Sequence, residues 1–479
     1  MATKHPMDAL IQPDSVALVG VSRKTGKGTL NILEKLLQFG YKGKIYPVNP
    51  TATEILGVKT YKHTGSLPEG IDLAIIATPR HVVPEILERC AEKRINAAII
   101  VTEGFGEADE KGRLLQRSID HTCAKKGIRV LGPNSVGVVN AFHDFSSAFI
   151  PLPKRLSPVA LISQSGGFFE GFPGCPFGKG IDLGNTSDVD FVDAISYFEK
   201  DEQIRVIVLH VEGIKDVRGF IRTCRKASRS KPIVAVKGGT SRSGSMAAAS
   251  HTGSLSGKTH LYSAMFRQSR VIQADSPSVI GDMVKAFLSL PPFTGDRVAV
   301  VTPTGAGGIL VLDSVEKFGF QPAVISEDAT ASLAPLFSPW ARVRNPFDIL
   351  SAGMAHGYKR VYTQVLEACL RDSHVDVVFT VCGAYTLKTI KEVTARYPGK
   401  PVVAWVTGSD ETLVDEKARS YGFSPCYLSP ERAVYALKIV RDYYRNLNPA
   451  FSRGANCGDS TLEGNFSEGF LSPDPSQDG

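Results

Sequence analysis

Two stretches of the chain carry residue types able to do chemistry. One is Gly20-Val21-Ser22-Arg23-Lys24-Thr25-Gly26-Lys27-Gly28, behind an apolar run; the other is Ala249-Ser250-His251-Thr252-Gly253-Ser254. Glycines let a backbone come close to a ligand, and the N–H groups opening a following helix attract an anion, so the first loop suits a phosphate chain. Gly20, Ser22, Lys24 and Gly28 are its candidate contacts. The spacing is neither G-x-G-x-x-G nor a P-loop. An acidic residue for a nicotinamide ribose is expected after the second strand, where the chain has Val48-Asn49-Pro50, so NAD is disfavoured. A tight turn without a ligand is the plain alternative.

His251 has neighbours that are nearly all small or hydroxylic, so no apolar face is available to bury it. An imidazole in such surroundings is free to attack phosphorus, with Ser250, Thr252 and Gly253 offering hydroxyl and N–H groups to the phosphoryl oxygens. An ordinary surface loop is the competing reading. Glu212 follows a strongly apolar strand and so stands at a sheet edge, able to fix the tautomer of a histidine or simply to face solvent. Further candidates sit where open α/β sheets bind ligands, at strand C-terminal ends: Asn49 and Pro50, Thr78 and Pro79, Gly104, and Asn134.

Those positions need elements to hold them. Over residues 15–140, β-rich runs alternate with amphipathic segments: Ser15–Val19, a helix from about Thr29 to Phe39, Lys44–Val48, Leu73–Ala77, Ala97–Val101 and Arg129–Leu131. This pattern predicts βαβ units and a Rossmann-like parallel sheet. A second series runs through Val159–Ile162, Val206–Leu209 and Ile233–Val236 to Pro291-Pro292. A third runs through Arg297–Val301, Ala323–Ile325, Val375–Val381, Val402–Trp405 and a helix to about Arg445. Both open alike, Val-Ala-Leu-Ile-Ser-Gln-Ser-Gly-Gly against Val-Ala-Val-Val-Thr-Pro-Thr-Gly-Ala-Gly-Gly, and read as related flavodoxin-like α/β domains. The expected divisions are 1–145, 146–291 and 292–447. The tail, 448–479, is too poor in aliphatics to offset chain entropy and is expected to be disordered.

Composition bounds the rest. A chain of 479 residues exceeds one hydrophobic core. Its net charge of +7, without a long basic block, gives no nucleic-acid footprint. Eight cysteines without a CxxC pair argue against zinc and disulfide scaffolds, and no metal site is expected. Neither a signal peptide nor a membrane-spanning run is expected, which reads as cytoplasmic.

Taken together the motifs resemble the NDP-forming acyl-CoA synthetases, in particular the α subunit of ADP-forming acetyl-CoA synthetase and its succinyl-CoA synthetase relative. The resemblance runs over about residues 10–447. It rests on Ser15-Val16-Ala17-Leu18-Val19-Gly20-Val21-Ser22, Lys44-Ile45-Tyr46-Pro47-Val48-Asn49-Pro50, Gly104-Phe105-Gly106-Glu107, Leu131-Gly132-Pro133-Asn134, Ile162-Ser163-Gln164-Ser165-Gly166-Gly167, Gly184-Asn185, Asp188-Val189-Asp190, Val211-Glu212-Gly213, Ser250-His251-Thr252-Gly253-Ser254 and Asn345-Pro346-Phe347-Asp348. It implies CoA on the first domain and a phosphoryl relay on the second. Acyl phosphate formed from acyl-CoA would phosphorylate His251, which would pass the group to ADP. By the same resemblance Glu212 would orient His251, and Ser165, Gly166 and Gly167 would open a helix supporting the phosphohistidine.

The resemblance also implies what this chain lacks. ADP or ATP, with Mg, would be held by an ATP-grasp β-type subunit on another chain, in a hetero- or homo-oligomer acting on a small carboxylic acid and its acyl-CoA. The family's helix and following strand after Ser165-Gly166-Gly167 are expected to be replaced by the shorter Phe168–Gly180 segment. Interior Pro and Gly cost a helix about 3 and about 1 kcal/mol, so any helix there should end within a turn. A non-catalytic CoA-binding or regulatory relative is therefore the alternative reading.

Overall fold

The computed structural model describes residues 5–26, 28–241, 243–244 and 259–448. His251 with Ser250, Thr252 and Gly253, and the tail beyond Asn448, lie outside the described residues, as does Lys27. The architecture is α/β with three parallel or mostly parallel sheets. Strands such as Ile75-Ile76, Val206–Leu209 and Val377–Val381 are apolar on both faces, which only a sheet covered by helices on both sides can bury.

In the first sheet the strands lie in the order Lys44–Val48, Ser15–Val19, Leu73–Ile76, Ala97–Ile100, Arg129–Leu131, all parallel. The helix after Ser15–Val19 begins at Ile32 rather than near Thr29. Asn31 caps it by accepting the Glu34 N–H at 3.1 Å, and Gly40 ends it in the left-handed region.

The second sheet runs Ile272–Ala274, Ile233–Lys237, Val206–Val211, Val159–Ser163, Lys179–Asp182, Val138–Asn140, Phe145–Ser146. Its last two strands join antiparallel, so residues 138–146 extend this sheet. The strand expected to be missing after Gly167 is present: Lys179–Asp182 pairs in parallel with Val159–Ser163. Its polar first residue is buried because Lys179 Nζ meets the Asp201 carboxylate at 2.5 Å. Of the helix, one five-residue 3₁₀ turn remains, Gly166–Glu170, ended by Gly171 at φ +98°. Phe169, Phe172 and Cys175 fill the space below the sheet.

In the third sheet the order is Gln321–Pro322, Arg297–Thr302, Val377–Cys382, Val402–Val406, Cys426–Tyr427, with Phe347–Asp348 also pairing Arg297–Thr302. The second strand of this series is Gln321–Pro322, not Ala323–Ile325. The Asn345 carboxamide intervenes, donating to Val298 O and Ala323 O and accepting from Val300 N–H, so the ladder stops there. The closing helix, Pro430–Leu447, starts from a Ser429 cap with proline in its first turn.

Candidate active site

At the C-terminal edge of the first sheet the Gly20 loop crosses the loop after Leu73–Ile76. Gly20 has φ +90°, and a Cβ there would stand 2.6 Å from Ala77 O and 2.7 Å from Thr78 Cγ2. Only glycine permits that approach. Asn31 staples the loop from behind, its amide donating to Ser22 O at 2.9 Å and Lys24 O at 3.0 Å. Asn49 donates to Val21 O at 3.0 Å, and its own oxygen accepts the N–H groups of Thr51 and Ala52. Asn49 thus shapes the loop, while Pro50 stands exposed beside it. Ser22 and Lys24 are exposed on the loop, as is Gly28 at φ +82° with open space around it.

Thr78 Oγ1 is buried without a hydrogen-bond partner among the described residues. Pro79 follows it, exposed. Gly104, at φ +94°, is held by Arg80, which donates to its carbonyl and pairs with Asp109 at 2.9 Å. Asn134, at φ 59°, donates its N–H to Thr102 O at 3.0 Å. The edge therefore brings together Gly20, Ser22, Lys24, Asn49, Thr78, Gly104 and Asn134. The glycine cradle at Gly20 and the unmatched Thr78 hydroxyl fit a ligand with phosphate and hydroxyl groups, as CoA has.

The second sheet presents a row of polar side chains at the ends of adjacent parallel strands. Register places Asp182, Ser163 and His210 side by side, with Lys237 opposite Val211. Gln164 ties the edge together, its oxygen accepting from Glu212 N–H at 2.7 Å and Gly213 N–H at 2.9 Å. Ser165 N–H donates to Ser163 Oγ at 3.0 Å, and that hydroxyl donates to Ser165 O at 2.8 Å. With its proton so used, Ser163 Oγ is an acceptor for His210 Nδ1, 3.3 Å away, which puts the His210 proton on Nδ1.

His210 is buried, and burial, aided by Lys237, lowers its pKa to about 4. The Phe168 ring lies over it at 4.2 Å between centroids. Burial lowers the pKa of Lys237 as well, against the opposing pull of Glu212. Burial raises Asp182 to about 7; Val136 N–H bonds it at 2.7 Å and opposes that rise, while Glu212 adds to it.

Sequence reasoning pointed to Glu212, and the structure sets it at the strand end, half-buried, among these groups. Ser165, Gly166 and Gly167 also lie on this edge, but they open only the single 3₁₀ turn and no longer helix. His210, Asp182 and Lys237 were missed. His210 sits within an apolar run that reads as core, and Asp182 ends a strand whose flanking glycines read as loop.

The two edges meet. Asn185 N–H donates to Pro133 O at 2.9 Å, and a Cβ on Gly184 would stand 2.3 Å from the same oxygen and 2.7 Å from Asn134 O. The Asn185 side chain reaches Glu107 and, at 3.2 Å, Gln116 of the first unit.

Comparison with known proteins agrees with this construction. A family model described as a CoA binding domain matches residues 14–141, and one described as a succinyl-CoA ligase like flavodoxin domain matches residues 156–287. The chain is 35% identical over 454 residues to acetate–CoA ligase (ADP-forming) II subunit alpha of Pyrococcus furiosus, covering 90% of this chain and 97% of that one. It is 35% identical over 453 residues to acetate–CoA ligase (ADP-forming) II of Archaeoglobus fulgidus, covering 91% of this chain but 66% of that longer protein. A solved structure of acetyl-coenzyme A synthetase 1 from Candidatus Korarchaeum cryptofilum, in complex with phosphate and ADP, superposes with a TM-score of 0.82 at 30% identity, covering 94% of this chain and 99% of that chain. At this identity, and over nearly the whole length of the subunit it matches, the chain belongs to the ADP-forming acid–CoA ligase family, on the side of its α-type subunits.

Proposed function

We propose that this chain is the CoA-binding and phosphoryl-relay component of an ADP-forming acid–CoA ligase. What carries the reading is the junction of the two strand-end edges, Pro133-Asn134 against Gly184-Asn185, which makes the CoA crevice continuous with the edge bearing Glu212. In the direction of ATP synthesis, a phosphate oxygen adds to the thioester carbonyl of an acyl-CoA. The C–S bond breaks, and the CoA thiolate leaves and takes a proton.

A ring nitrogen of His251 then attacks phosphorus of the acyl phosphate, and the P–O bond to the carboxylate breaks. The terminal oxygen of ADP displaces the imidazole, forming ATP. The Glu212 carboxylate would accept a hydrogen bond from the protonated ring nitrogen of His251 and hold its tautomer, and Ser250, Thr252 and Gly253 would bind the phosphoryl oxygens. Gly20, Ser22, Lys24, Gly28, Asn49, Pro50, Thr78, Pro79, Gly104 and Asn134 would hold CoA. The Ser165 hydroxyl and the backbone N–H groups of Gly166 and Gly167 would take the part expected of a longer helix.

ADP and its Mg would come on an ATP-grasp β-type partner subunit, and the assembly would work in the cytoplasm. The Lys179–Asp182 strand leaves the second sheet continuous, which favours a working relay over a relic. Co-purified with such a partner, the chain should form ATP from acetyl-CoA, phosphate and ADP. No ATP from the reconstituted pair, with CoA binding intact, would overturn the proposal.

A further inference from the structure

Outside both edges the molecule carries a concentration of unpaired positive charge. Arg225 and Arg229, at the end of helix Val217–Ala227 and just beyond it, face Arg267 and Arg270, at the end of helix Thr259–Ser269 and just beyond it. They line a groove of about 890 Å³ whose floor includes Tyr443 and Leu447. Arg218 and Arg222 continue the basic face along the first helix. All six arginines are exposed, and none forms an ion pair among the described residues; Lys226, on the same helix, is paired with Glu199 at 2.8 Å. Like charges so gathered repel one another, and an anionic surface would relieve that repulsion.

The groove also lies where the closing helix Pro430–Leu447 ends. Beyond it the sequence turns acidic: Asp459, Glu463, Glu468, Asp474 and Asp478 against a single base, Arg453. Phe466, Phe470 and Leu471 are interleaved with those acids. Such a pattern matches arginines around a partly apolar floor. The ten residues from Pro449 to Gly458 span up to roughly 35 Å when extended, enough to reach any part of the groove. Attachment to the same chain raises the local concentration of the acidic stretch to roughly millimolar, so weak contacts suffice.

We propose that residues 459–478, the acidic stretch of this chain's own C-terminal segment, dock on the arginine groove between the ends of helices Val217–Ala227 and Thr259–Ser269. The docked segment covers the basic face and makes its exposure to other polyanions dependent on salt. This proposal does not rest on the assigned reaction.

Cys457 gives direct access to a test, because the other seven cysteines are free but buried. A spin label on Cys457 of the full chain should be immobilised at low salt and released in the Arg229→Glu/Arg267→Glu/Arg270→Glu variant or at high salt. A peptide of residues 459–478 should bind a chain ending at Asn448 at least tenfold more tightly than it binds either the full chain or that variant. Charge reversal at Lys388, exposed on helix Leu387–Thr394, should change nothing. A label equally mobile in the full chain and the triple variant would overturn the proposal. So would failure of the peptide to bind, or equal binding of poly-glutamate to the full and shortened chains, which would assign the groove to another polyanion.

Discussion

Replacing Gly20 by alanine tests the crevice most sharply, because two separate costs are visible there. The first is conformational: a side chain at φ +90° costs of order 1–3 kcal/mol. The second is steric. The new Cβ would stand 2.6 Å from Ala77 O and 2.9 Å from Ala77 C, backbone atoms that cannot turn aside as a side chain could. The loop carrying Thr78 must therefore move outward, or the Gly20 loop must lift from it. Gly26→Ala separates the two effects, since φ there is +100° but nothing lies within 4 Å. Denaturant unfolding should show Gly26→Ala losing only the conformational cost, with CoA binding by calorimetry changed less than threefold. Gly20→Ala should lose a further ~1–3 kcal/mol, the usual range for forced overpacking. If that displacement is felt by the ligand, CoA affinity falls at least tenfold, equivalent to about 1.4 kcal/mol. Equal stability and equal CoA affinity in the two variants would refute the reasoning, because it would mean that the close approach at Ala77 and Thr78 does not shape the site.

Titration of the buried row at the second edge has opposite signs in its two members. His210 has a folded pKa of about 4, below its ordinary 6.5, so its contribution is full above pH 6.5 and lost as pH falls toward 4; His210→Gln should flatten that loss in unfolding free energy. Asp182 has a folded pKa of about 7, above its ordinary 3.8, so stability declines as pH rises from 4 to 7, and Asp182→Asn should remove that decline. The buried Lys179–Asp201 pair holds the strand that sequence reasoning lost: Lys179→Met should destabilise by about 3–5 kcal/mol, and Lys179→Met/Asp201→Leu should recover part of it in the same unfolding measurement. Glu212→Gln should slow phosphorylation of the chain by an acyl phosphate while leaving CoA affinity within twofold, read by radiolabel and calorimetry.

Strands with apolar residues on both faces were legible because their composition leaves no other way to be buried; Ser15–Val19, Leu73–Ile76 and Val206–Val211 are of this kind. Lys179–Asp182 was not, since a lysine, a glycine and an aspartate conceal a strand whose burial depends on an ion pair with Asp201, far along the sequence. The displaced Gln321–Pro322 strand was equally hidden, because the Asn345 carboxamide that ends the ladder comes from a distant loop. At the site, Gly20 announced a close approach through its residue type alone. His210 did not announce itself, because a histidine inside Val206–Val211 acquires meaning only when register sets Ser163 beside it and Phe168 over it.

The central claim is that a phosphoryl group passes through His251. Incubating the chain with radiolabelled acetyl phosphate, in the presence of the proposed nucleotide-binding partner, should place on it a phosphate that is stable in base and labile in acid. That label should be discharged by ADP and be absent from His251→Ala. Label retained in His251→Ala, or label that survives acid, would contradict the account.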